Sequence, residues 1–202
     1  MQATQSSRPA SGTEHQFSHC WDMEGLSYPS GKHVSHGFKV GIGTLVSNLE
    51  LEFLLSKDMA SVDLDKVVAS WKSWEDMEAE IRRVCEGKPG HLSRCLTETK
   101  AKYIGKEELR AQLSKLKDCW EDLSEKIRRT ILPTEEVYRR LKAVGAPYEP
   151  EMICVSRKHL KETFSFIPFM RSRFTNIDLL YRLGWIEEFT QTIFGKGGRW
   201  EI

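Results

Sequence analysis

The chain has 202 residues, 40% of them hydrophobic and 29% charged, which is length and apolar content enough for one substantial core. Its 30 Lys and Arg balance 29 Asp and Glu, so no basic excess recommends nucleic acid or an anionic membrane surface as a partner. No apolar run reaches the roughly 18 to 20 uncharged residues of a bilayer span, and Cys20, Cys85, Cys95, Cys119 and Cys154 are widely spaced without a CxxC pair, as expected of free thiols in a cytoplasmic protein.

Apolar residues recur at spacings of three and four, with Gly and Pro between the periodic stretches, and this predicts an all-α fold. Ser11 can cap a first helix that begins near Gly12 or Thr13 and runs to about Glu24, with Glu14 in its first turn. Residues 25–35, with Pro29 and Gly31, read as a loop. His36 to about Ser56 is the most apolar segment, and its residues predict a central helix packed on several sides. The GIG at 41–43 lies inside that stretch with no strand before it, so it reads as close helix packing, not as a dinucleotide-binding turn.

From Asp63 to about Cys85 a single amphipathic helix is expected, carrying Leu64, Val67, Val68, Trp71, Trp74, Met77 and Ile81 and stopped by Gly87 and Pro89. Lys106 to Arg129 predicts a long helix with a buried stripe from Leu109 to Ile127 and a solvated charged face. Pro133 opens a shorter helix to about Val144, and the GAPYEP at 145–150 is a turn. Two helices follow, around Arg157–Arg173 and Asn176–Leu183, with Phe174, Ile177, Leu180 and Leu183 expected to face inward. The whole reads as one all-helical metal- and substrate-binding domain over 1–194 with a tail at 195–202.

His15 and His19 are four apart and share a helix face, so together they can approach a metal ion or a substrate. His36 stands directly before Gly37 at the start of the apolar helix, where an imidazole can project toward them. A helix start also disfavours imidazolium and so keeps the ligating neutral form. Asp22, seven residues after His15, adds a carboxylate to nearly the same face, with capping or solvation as its plainer role. His33 and His159 have no motif around them, and His91 sits in a KPGH stretch that reads as a surface loop.

The segments SRPASGTEHQFSH at 7–19 and SHGFKVGIGTL at 35–45 resemble the two metal-site segments of the glycerol-1-phosphate dehydrogenase family. That family belongs to the iron- or zinc-containing alcohol dehydrogenases and has a fold similar to dehydroquinate synthase. RSRFTNIDLLYRLG at 171–184 resembles the family's C-terminal stretch, whereas residues 58–132 are far less diagnostic. The resemblance implies that His15 and His36 are metal ligands and that His19 lies near substrate and nicotinamide as the candidate catalytic residue for proton relay or orientation. Lys39 is a candidate for neutralising a substrate phosphate. The family's third ligand, an Asp, and its Gly-rich nucleotide-binding segment lie upstream of these motifs and match no position here. Phe38 also stands where many relatives carry Glu.

What the resemblance implies is the helical C-terminal portion of an oxidoreductase that reduces dihydroxyacetone phosphate with NAD or NADP, the nicotinamide being bound only in the complete enzyme. The metal is a divalent ion, zinc first, with iron or nickel as alternatives, and the partner is a small phosphorylated polyol or ketone; a homodimer is compatible with this. Such a truncated chain is expected to be inactive by itself. A fragment of a glycerol dehydrogenase or of a dehydroquinate synthase-like enzyme is an alternative in the same class. A non-catalytic helical interaction or metal-binding module is the alternative from a different class.

Overall fold

A computed structural model describes residues 12–202. They form ten α-helices, and among the described residues the only β-type pairing is an isolated bridge between Ser27 and His33. Helix α1 spans Thr13–Met23 and α2 spans His36–Leu55. The expected cap at Ser11 lies outside the described residues. Gly12 is the N-cap, and its backbone N–H donates to the Glu14 carboxylate at 2.8 Å, so the acidic residue of the first turn satisfies an otherwise orphaned donor. Ser35 caps α2 by accepting from the Phe38 N–H at 3.2 Å. The loop between the two helices turns at Gly31, where φ is +79°, a conformation that costs glycine nothing.

Helices α1 and α2 make the most extensive helix pair, and Gly43 is the reason they approach so closely. A Cβ there would stand 2.5 Å from the Glu14 carbonyl oxygen. The GIG at 41–43 is thus part of a helix–helix contact, and Ile42, Leu45, Val46, Phe53 and Leu54 place α2 in the core.

The expected single helix over 63–85 is two helices, α3 (Leu64–Ser70) and α4 (Trp74–Val84). Ser73 caps α4 by accepting from the Asp76 N–H, and Trp71 leaves helical geometry so that its indole donates to the Ile104 carbonyl at 2.8 Å. Apolar periodicity does not register a three-residue break when the residues on either side keep helical spacing. Gly87, at φ +74°, does end the helical run, but Pro89 opens a helix, α5 (Pro89–Lys100), instead of closing one; proline at the first helical position loses no hydrogen bond. His91 accordingly lies on α5, half-buried, with its ring edge-on to Phe166 at 5.2 Å, and not in a surface loop.

Helix α6 (Lys106–Thr130) buries Leu109 and Leu113, while Leu116, Trp120, Leu123 and Ile127 are only half-buried. Helix α7 (Thr134–Ala143) follows Pro133 as expected. Helix α8 (Arg157–Phe164) is shorter than the sequence suggested. It gives way to a 3-10 turn at Ile167–Phe169, because Pro168 cannot continue an α-helix. Phe164, Phe166, Ile167, Phe169 and Met170 are all buried there.

Helix α9 (Asn176–Leu183) is as expected, ended by Gly184 at φ +72°. Ile177, Leu180 and Leu183 are buried, but Phe174 is 53% exposed, a correction to the inward face assigned to it. Phe174 precedes the N-cap Thr175 and therefore does not follow the helical spacing; its ring instead takes the Arg182 guanidinium at 4.6 Å. A further helix not read from the sequence, α10 (Ile186–Phe194), packs on α8 and α9. The tail at 195–202 is partly core: Trp200 is fully buried against Phe194, and its indole donates to Glu149 at 2.9 Å.

Candidate functional site

The contact between α1 and α2 that Gly43 permits carries the histidines with it. His15 and His19 stand one turn apart on α1, and His36 is the first residue of α2. Their ring centroids are 5.2 Å apart for His15 and His36, 6.0 Å for His19 and His36, and 6.3 Å for His15 and His19. The three rings form one cluster, assembled from segments that the sequence separates by 17 to 21 positions.

Each of two imidazoles is oriented through its Nδ1. His15 Nδ1 lies 3.0 Å from the Glu14 carboxylate, and the same oxygen accepts from the Gly12 N–H. His36 Nδ1 lies 3.0 Å from the hydroxyl of Ser18, a fully buried residue, with the Asp22 carboxylate 3.9 Å away. A carboxylate or hydroxyl on one ring nitrogen fixes the ring and leaves Nε2 as the available ligand atom. His15 is largely covered and His36 is half-exposed, so the cluster opens to solvent on the His36 side.

His19 is held below the ordinary imidazole range, first by burial and then by the charge of Arg171, with His36 and His15 adding to the effect and Asp22 opposing it. The outcome is a neutral ring, able to accept a proton or bind a cation. Lys39, the candidate for neutralising a substrate phosphate, is buried, with 3% of its area exposed, and its ammonium pairs with Asp22. That places the amine inside the α1–α2 contact and engages it with a carboxylate, away from any substrate phosphate approaching from solvent. Among the described residues, no group of three or more His, Cys, Asp or Glu side chains could hold a metal ion.

A second cluster escaped the sequence. Glu24, at the end of α1, receives His159 Nε2 of α8 at 2.8 Å and Lys88 Nζ at 2.9 Å. Burial would raise the Glu24 carboxyl, but the hydrogen bonds from His159 and Lys88 outweigh it and bring it down to about 2. His159 is raised in turn, chiefly by that hydrogen bond. With 135 positions between Glu24 and His159, no local pattern could reveal the pair. A cleft of about 550 Å³ lies elsewhere, lined by Trp71, Lys72, Glu80, Phe164 and Tyr181 among others and by none of the clustered histidines.

Fold and site together define a class: an all-helical protein with a partly open three-histidine cluster at the crossing of its first two helices. No family model, curated protein or solved structure matches the chain.

Proposed function

We propose that this chain is the metal- and substrate-binding portion of an oxidoreductase resembling glycerol-1-phosphate dehydrogenase. The observation that carries the reading is the 5.2 Å approach of His15 and His36, each with its Nδ1 engaged elsewhere. That donor set fits a divalent ion of the zinc type: two imidazoles with Nε2 left available, and a carboxylate and a hydroxyl behind them. When bound, such an ion supplies Lewis-acid polarisation of a ketone oxygen. His15 and His36 hold and orient; His19, kept neutral in the same cluster, exchanges a proton at the substrate oxygen. Lys39, through its pair with Asp22, braces the α1–α2 contact.

The described residues do not fit a nicotinamide, since no strand, glycine-rich turn and helix follow one another among them. Dehydrogenase turnover by this chain alone is therefore not expected. The reading is tested on its half-reaction: binding of dihydroxyacetone phosphate followed by phosphorus NMR, with and without zinc. The expected result is a shift of the phosphate resonance that requires zinc and is lost in a His15→Ala/His36→Ala double variant. Ligand binding that ignores both zinc and the two substitutions, or no binding by the zinc-loaded chain, overturns it.

A further inference from the structure

The cleft of about 550 Å³ is lined by none of the clustered histidines, and nothing in the proposed reaction uses it. We infer that it is a separate ligand site that takes a small aromatic carboxylate.

The break between α3 and α4 contributes Trp71 and Lys72 to the cleft, α4 adds Glu80 and Arg83, and Phe164 of α8 and Tyr181 of α9 line it with them. Trp71 is held by its donation to the Ile104 carbonyl at 2.8 Å and stands edge-on to Tyr181 at 5.9 Å. Phe164 is buried. Aromatic side chains fixed in this way offer a preformed apolar surface, with little left to order when a ligand binds. The volume of about 550 Å³ falls within the roughly 300 to 1,000 Å³ of small-molecule sites, which combine an apolar lining with a few polar groups.

The charges around this surface select the sign of the ligand. Glu80 is already compensated, because Lys72 Nζ donates to it at 2.6 Å and the Tyr181 hydroxyl donates to the same oxygen. Three more cations line the cleft, Arg83, Lys161 and Arg182, and among the described residues none of them is in an ion pair with a carboxylate. Arg182 is only 8% exposed, yet its guanidinium donates to two uncharged groups, the Gln112 side-chain oxygen and the Lys102 carbonyl. Nearby Asp178 is itself paired with Lys102. Against these three cations stands one carboxylate without an ion pair among the described residues, Glu187. An excess of one charge in a low-dielectric cleft focuses a potential that draws ligands of the opposite sign. Arg83 and Lys161 are exposed and come from different helices, α4 and α8, so a carboxylate between them meets an arginine fork and a lysine point charge.

The test is calorimetric titration of the full chain with 2-naphthoate, in the absence of zinc, so that its outcome is independent of the metal reading. The uncharged 2-naphthamide is titrated alongside. Arg83→Gln/Lys161→Gln removes the two exposed cations of the cleft, and Lys115→Gln/Lys126→Gln removes two exposed cations of α6 as a control for net charge. One saturable site for 2-naphthoate is expected, about tenfold weaker in Arg83→Gln/Lys161→Gln and about tenfold weaker for the amide. The α6 control and the His15→Ala/His36→Ala variant should bind as wild type does. No saturable binding of 2-naphthoate, equal affinity for the amide, or the same affinity in Arg83→Gln/Lys161→Gln as in wild type overturns the inference. Loss of binding in the histidine variant also overturns it, because the anion would then sit at the histidine cluster.

Discussion

Replacing Gly43 with Ala puts one methyl group at the point where α2 touches the backbone of α1. The new Cβ would lie 2.5 Å from the Glu14 carbonyl oxygen and 2.9 Å from its Cα, where ordinary van der Waals contact starts at 3.4 Å. Backbone cannot swing aside as a side chain can, so α1 has to retreat by about 0.9 Å or α2 has to bend, in an interior packed at crystal-like density. Overpacking of this kind costs about 1 to 3 kcal/mol, and the better helix propensity of Ala returns about 0.5 to 1 kcal/mol. The net expectation is a loss of up to about 2.5 kcal/mol in urea unfolding. Gly41→Ala is the control, because its Cβ would meet only Leu141 at 3.7 Å; there the propensity gain of about 0.5 to 1 kcal/mol should appear undiminished. His15 follows Glu14 directly, so the Gly43→Ala protein should also bind zinc more weakly, by about tenfold on the scale of lost ligand orientation. A Gly43→Ala protein as stable as Gly41→Ala would refute the tight-crossing argument.

Two further expectations concern stability. Leu180→Ala, at a fully buried position of α9, should cost about 2 to 5 kcal/mol, whereas Phe174→Ala, with half its surface in water, should cost under about 1 kcal/mol; equal losses in denaturant melts would contradict the placement of both. For the Glu24–His159 pair the carboxylate's contribution is full above 4.5 and fades as pH falls toward about 2, while the raised imidazole's is full below 6.5 and fades as pH rises through its folded value. His159→Ala should therefore cost most near pH 5.5, about 1 to 2 kcal/mol, and less at pH 9 and pH 3. A loss that is the same at all three would show that the pair is not ionised.

The parts of the fold that were legible are those where local chemistry acts alone. Pro29 and Gly31 mark the loop between α1 and α2, and Gly184 marks the end of α9; each imposes a backbone geometry on its own neighbourhood. Pro89 reads as a stop in the sequence because proline ends a helix from inside and begins one from its first position, and only the residues after it decide which. Trp71 and Trp74 fit one helical face so well that the turn between them left no trace in the periodicity. The same limit hid α10 and the burial of Trp200, which is set by Phe194 and Glu149 and not by its own neighbours.

At the site, the i, i+4 spacing of His15 and His19 was legible, as was the position of His36 at a helix start. Their convergence was an expectation resting on resemblance, and the structure brings the three rings within 5.2 to 6.3 Å. The Asp22–Lys39 pair was not legible, because a lysine at the first turn of a helix is commonly solvated, and its burial depends on how closely Gly43 lets α1 approach.

X-ray absorption at the zinc edge of the zinc-loaded chain tests the central claim most directly, since it reads the ligand atoms themselves. The account predicts a first shell of nitrogen at about 2.0 to 2.1 Å with the outer-shell scattering of imidazole, lost when His15 and His36 are both replaced by Ala. A first shell of oxygen alone, or an imidazole signal that survives the double substitution, would contradict it.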